Sequence, residues 1–231
     1  MTEAEWQNAS EPHSMVAFLR DRASDRKLRL FACACCRRIW HILSDERSRK
    51  AIDVAERYAD GLVPKKTLKA ARRRTFQVRS KRPNIIGQDY QWGPAYAEGA
   101  TDGLTLGPHE SAVDTADHAA IALAYGDTQG SERDERFQAS RNAERLIQAC
   151  IFRDIFGNPF RPITLNPAWL TPAVVQMAQA IYDDRAFDRM PALADALHDA
   201  GCGNNEILGH CRGAGPHVRG CWVVDMVLGK E

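Results

Sequence analysis

Five side chains able to bind a soft or borderline metal ion lie between positions 202 and 221: Cys202, His210, Cys211, His217 and Cys221. His217 and Cys221 are four residues apart, so on a helix they share a face and can clamp one ion. His210 and Cys211 lie upstream across a Gly-Ala-Gly-Pro turn, and Cys202 precedes them. Four such donors suit a closed tetrahedral zinc site. The competing reading makes the three cysteines core thiols and lets the two histidines close helix ends. No C-x-x-C pair lies in this stretch, and adjacent His and Cys side chains point apart, so the spacing favours core thiols over zinc.

Other constellations carry weaker chemistry. Cys33 and Cys36 in the C-A-C-C run form a C-x-x-C, but they fall in the middle of an apolar helical stretch, which predicts core packing. Glu110, Asp114, Asp117 and His118 share one helical face, a pattern that builds dinuclear metal sites in helical bundles. That face opposes the apolar stripe Val113, Ala116, Ala120 and Leu123, which predicts a solvated face instead. The stretch from Lys65 to Arg82 is dense in cations. Lys65, Lys66, Arg72, Arg73, Arg74, Arg79, Lys81 and Arg82 are candidate phosphate contacts, with Phe76 as the one aromatic. The acidic helix before it (Asp45, Glu46, Asp53, Glu56, Asp60) offers a local charge balance, which favours an ordinary exposed face. Arg37 and Arg38 follow an apolar run, so at least one is expected to lie partly buried on a carboxylate. Asp183, Asp184 and Asp188 are the first candidates, on charge alone. Phosphate-loop, nucleophile-elbow and H-E-x-x-H motifs are absent, and the reading leans away from an enzyme.

The elements that must position these residues read as helices. Ser24 caps a helix whose stripe is Leu28, Phe31, Cys35, Ile39 and Ile42. A second opens at Ser44-Asp45-Glu46 and ends at Gly61, and Pro64 opens a third. Further helices are expected over 109–125, over 132–156, from Thr171-Pro172, from an Asp188 cap to Gly201, and over 222–228. No β alternation occurs. The prediction is an all-α, irregular multi-helix bundle, with solenoid-like helix pairs as a variant. Residues 83–108 hold five glycines and three prolines around Tyr90, Trp92 and Tyr96. They read as one long loop, with Trp92 or Tyr96 docked on the helical body, between helical parts 1–82 and 109–231 of one compact unit.

The chain has 231 residues, 44% of them hydrophobic and 26% charged, with net charge +1, a balance that argues against a generic polyanion binder while leaving room for local basic patches. No apolar run reaches membrane-spanning length, and the N-terminus lacks a signal-peptide layout. A cytoplasmic location is expected, with the seven cysteines reduced.

The opening SDRKLRLFACACCRRIWHIL, with FGNPFRP, YDDRAFDRMP and the closing HCR…GPHVRGCWVVD, resembles an uncharacterised family of bacterial proteins. The resemblance implies no activity, substrate or cofactor. The sequence therefore points to a cytoplasmic helical protein that binds another protein and no membrane. Zinc binding through the C-terminal Cys/His set is the first alternative, and nucleic-acid binding through 65–82 the second.

Overall fold

Ser24 accepts a hydrogen bond from the Lys27 amide and starts a helix in which every residue from Leu30 to Cys36 is buried. This is the expected cap, and it opens a helix that serves as core on most of its faces. A computed structural model describes residues 1–80, 92–104, 106–128 and 134–230. Among these the chain is all-α, with no strand. It divides into two compact units, Met1–Ala149 and Cys150–Glu231.

The first unit begins with α1 (Glu3–Asn8), closed by a Thr2/Glu5 capping box, and α2 (Pro12–Phe18). Then come α3 (Asp25–Arg38), α4 (Glu46–Ala59), α5 (Lys65–Ser80), α6 (Trp92–Gly103) and α7 (Pro108–Thr128). Asp45, rather than Ser44, caps α4, and Gly61 follows its end with φ +71°. The helix α7 packs on both α3 and α6. Its Ala112, Ala116, Ala119, Ala120, Ala122 and Ala124 are all buried, so it is apolar around most of its girth rather than along one stripe.

Residues 92–103 correct the expected loop. They form α6, because three of the glycines that read as breakers are contact surfaces. A Cβ at Gly99 would lie 2.7 Å from the His118 ring, and one at Gly103 2.7 Å from Thr115 Oγ1. At Gly93 it would lie 3.2 Å from the Ala122 carbonyl. Small residues let α6 approach α7 closely, and Pro94 sits in the first turn, where it removes no helical hydrogen bond. Trp92 and Tyr96 dock as expected, stacking on Tyr125 with ring centroids 6.1 and 5.8 Å away. Residues 83–91 of that segment lie outside the described residues, as do Lys81 and Arg82.

Arg37 and Arg38 do take carboxylates, but not the predicted ones. Arg37 pairs with Asp53 and with Glu56 (2.9 Å), and Arg38 makes a bidentate pair with Glu144 (2.6 to 2.8 Å). Asp183, Asp184 and Asp188 are exposed. Charge alone does not choose between carboxylates; helix packing within the first unit does.

The long helix α8 (Glu135–Phe156) crosses the boundary between units, so no glycine or proline marks it in the sequence. In the second unit an extended, proline-punctuated stretch leads to a 3₁₀ turn (Pro167–Trp169) and α9 (Pro172–Asp184). Thr171 accepts from the Val174 amide, as its position before Pro172 predicts. Then follow α10 (Met190–Asp199), α11 (Asn205–Arg212) and α12 (Trp222–Leu228). Asp188 lies in a 3₁₀ turn and does not cap α10, whose N-cap Arg189 makes no side-chain bond. The helix α11, unforeseen in the sequence, is capped by Asn204, which accepts from the Glu206 and Ile207 amides. Val174, Ile181, Leu193, Leu197, Ile207 and Val223 form the core of this unit.

Candidate metal centre

Four donor groups converge in the second unit. One ligand atom from each of Asp154, His210, His217 and Cys221 lies within 4.8 Å of all the others. Asp154 stands in the last turn of α8, between the buried Phe152 and Ile155. His210 is in the last turn of α11, His217 in the loop after it, and Cys221 is the N-cap of α12. That loop turns at Gly215 (φ +77°), where a Cβ would lie 2.8 Å from the His217 amide nitrogen. Only glycine fits both the left-handed backbone and that approach.

The two oxygens of Asp154 have separate tasks. Its Oδ2 accepts from the Val218 amide at 2.9 Å, which fixes the carboxylate plane. Its Oδ1 faces inward, 3.1 Å from His210 Nε2 and 2.7 Å from His217 Nδ1. His210 Nε2 is also 3.2 Å from Cys221 Sγ. The other nitrogen of His217, Nε2, faces the Gly213 carbonyl at 3.4 Å. A carbonyl behind the outer nitrogen is what orients a metal-binding imidazole.

Burial alone would raise the pKa of Asp154, whose side chain is 3% exposed. Hydrogen bonds from His210 and His217 outweigh it and hold the carboxyl below its ordinary value. Burial works to lower the His217 pKa, but its bond to Asp154 and that residue's charge raise it on balance. Burial pushes the Cys221 thiol well up, and the Asp154 charge pushes it further.

This arrangement is not a nucleophilic relay. In a Cys-His-Asp relay the two imidazole nitrogens face different partners, one the acid and one the nucleophile. Here the same nitrogen, His210 Nε2, faces both. An activated cysteine also needs a lowered pKa, the reverse of what burial does to Cys221.

Of the five residues singled out in the sequence, the structure brings three together and separates two. Cys202 and Cys211 are buried in the apolar core of the unit, and burial lifts the Cys211 thiol to about 12. Adjacent His210 and Cys211 do point apart: Cys211 turns to the core with Ile207, while His210 turns to Asp154. His217 and Cys221 meet through a loop rather than on a shared helical face, because α12 begins only at Trp222. Asp154 was missed. Its signal is a lone carboxylate inside the apolar run Ile151-Phe152-Arg153-Asp154-Ile155-Phe156, three residues after one buried isoleucine and one before another.

The remaining candidates resolve differently. Cys33, Cys35 and Cys36 are core residues, at most 1% exposed. Glu110 and Asp114 are exposed, as expected of a solvated face, while the half-buried Asp117 pairs with His13 (3.1 Å) and Arg145 (2.9 Å). His118 Nδ1 turns to the Asp114 carbonyl of its own helix. Compared with protein-family models, curated proteins and solved structures, the chain matches none.

Proposed function

We propose that the Cys150–Glu231 unit is a zinc-binding module held by Asp154, His210, His217 and Cys221. The observation that carries this reading is the convergence of four donor atoms from the end of α8, the end of α11, the loop after it and the start of α12. Zinc bonds of about 2.0–2.3 Å place tetrahedral donors roughly 3.3–3.8 Å apart, so the pairs at 2.7 to 3.2 Å must open slightly and any as wide as 4.8 Å must close to admit the ion. A carboxylate, a thiolate and two neutral imidazoles carry two negative charges, which balance Zn²⁺ in a buried setting. The ion replaces the Cys221 proton, which the metal-free site holds tightly. All four positions are filled by protein, so the metal is structural, with no open position for substrate. The unit then acts by presenting an ordered helical surface for binding, not by catalysis.

Zinc affinity by chelator competition tests the ligand set. Asp154→Asn and Cys221→Ser should each lose at least about 100-fold, more than the 10–100-fold typical of an outer-shell change. Cys202→Ala, which alters only the core, should keep the wild-type affinity. If Cys202→Ala loses zinc as readily as Cys221→Ser, the assignment of ligands is wrong.

A further inference from the structure

We propose that the α4–α5 surface of the Met1–Ala149 unit binds single-stranded nucleic acid through its phosphates. The inference does not rest on the metal reading. In the sequence, the acidic residues around α4 were the natural counter-charges for α5. The structure gives every one of them to another cation. Asp45 pairs with Arg47, Glu46 with Lys50, Asp53 and Glu56 with Arg37, and Asp60 with Arg26. Among the described residues no carboxylate pairs with Lys65, Lys66, Lys69, Arg72, Arg73 or Arg74. The helix from Lys65 to Ser80 contains no acidic residue at all. Its positive charge is therefore uncompensated locally, although the whole chain is near neutral.

The shape of the surface matches its charge. Leu68, Ala71, Thr75 and Val78 are buried and fix the orientation of α5. A cleft of about 370 Å³ lies between α4 and α5, with the unpaired Lys66 and Arg74 on the α5 wall and, on the α4 wall, Arg47 and Lys50, which Asp45 and Glu46 already pair. Ala51, Val54 and Ala70 line it with apolar surface, and Thr67 adds a hydroxyl. On the outward face of the same helix, Lys69, Arg72 and Arg73 surround the helical position of Phe76, which is 59% exposed. Cations that follow a backbone and an exposed ring on which a base can stack are the two parts of a single-strand site. A duplex keeps its bases stacked inside and gives Phe76 nothing to cover.

The test is fluorescence anisotropy of a labelled mixed-sequence strand of about twenty nucleotides, RNA and DNA in turn, titrated with the full chain. Four phosphate contacts give a salt slope near −3, or about a 50-fold loss of affinity between about 50 and 200 mM salt. Lys66→Gln with Arg74→Gln should roughly halve that slope. Both positions are exposed and Gln is a good helix former, so far-UV circular dichroism should be unchanged. Lys66→Gln alone, the milder variant, should lower the slope by about 0.7. Phe76→Ala should weaken binding about tenfold or more and leave the slope intact. The proposal is overturned if no salt-dependent binding occurs at the lowest salt, or if the folded Gln variants bind like wild type. It is equally overturned if a duplex or a polyglutamate competitor displaces the strand as well as an unlabelled strand does.

Discussion

Cys33, Cys35 and Cys36 on α3 are as fully buried as Cys221 at the start of α12, yet the surroundings of the two groups differ in kind. The α3 thiols lie among buried apolar residues, and the one carboxylate that acts on Cys35, Glu144, is already held by Arg38. Around Cys221 are one buried carboxylate and two imidazoles that share it. The C-x-x-C of α3 has the better metal-binding spacing and the poorer metal-binding environment. Spacing along a chain counts for less than whether other segments deliver charge-matched donors to the same point. The two units accordingly rest on different physics: apolar packing and ion pairs in Met1–Ala149, a convergent polar centre added to an apolar core in Cys150–Glu231.

Metal removal should separate them most strongly. A closed site contributes its binding free energy to folding, so chelation should destabilise the second unit by at least about 3 kcal/mol. At about 4–8 °C per kcal/mol for a unit of this size, calorimetry should show its transition fall by more than about 12 °C, while that of the first unit stays put. A uniform shift of the whole melting profile would erase the contrast.

The first unit should instead be sensitive to its own buried ion pair. Arg38→Ala leaves Glu144, 4% exposed as a side chain, without its bidentate partner. A buried carboxylate orphaned in this way costs about 3–5 kcal/mol, reduced to about 2–3 because the Arg38 side of the pair is one-third open to water. A double-mutant cycle with Glu144→Gln should show coupling. Zinc content should not change. Next comes the α6–α7 seam. Gly99→Ala drives a Cβ to 2.7 Å from the His118 ring and should cost about 1–3 kcal/mol by denaturant unfolding. A neutral or stabilising result would mean that the helices have room to part.

The smallest effect is a pH dependence confined to the first unit. Asp117 hydrogen-bonds to His13 and Arg145, which overcomes burial and lowers its pKa from 3.8 to about 2. A lowered acid stabilises above its unfolded pKa, and that contribution fades as pH falls from 3.8 through about 2. The Asp117 hydrogen bond likewise raises the His13 pKa above 6.5 despite partial burial. A raised base stabilises fully below 6.5, and that contribution is lost as pH rises through the folded value. The pair therefore stabilises most between those limits. His13→Ala should flatten the alkaline side of the stability profile, measured by urea unfolding across pH. An unchanged profile would assign the alkaline loss elsewhere.

Much of the fold was legible in local chemistry. Ser24, Gly61 and Thr171-Pro172 mark helix ends where the structure has them, because caps and left-handed positions depend on the nearest few residues. The helix α6 was not legible, since its glycines serve contacts with α7 that no local rule encodes. The site was half legible. His210, His217 and Cys221 announce themselves by type and proximity, but Asp154 lies 56 residues before His210, and only folding brings it there. Cys202 and Cys211 look the same as Cys221 in sequence, and only the fold sets Cys221 beside His210.

The most direct test of the account is the zinc content of the 231-residue chain, purified without a metal-affinity tag and measured by elemental analysis. The convergence of Asp154, His210, His217 and Cys221 predicts close to one zinc per chain, falling to near zero in Asp154→Asn. Wild-type protein with near-zero zinc, unable to take up the ion when it is supplied, would make these four residues a hydrogen-bonded polar network and contradict the proposed function.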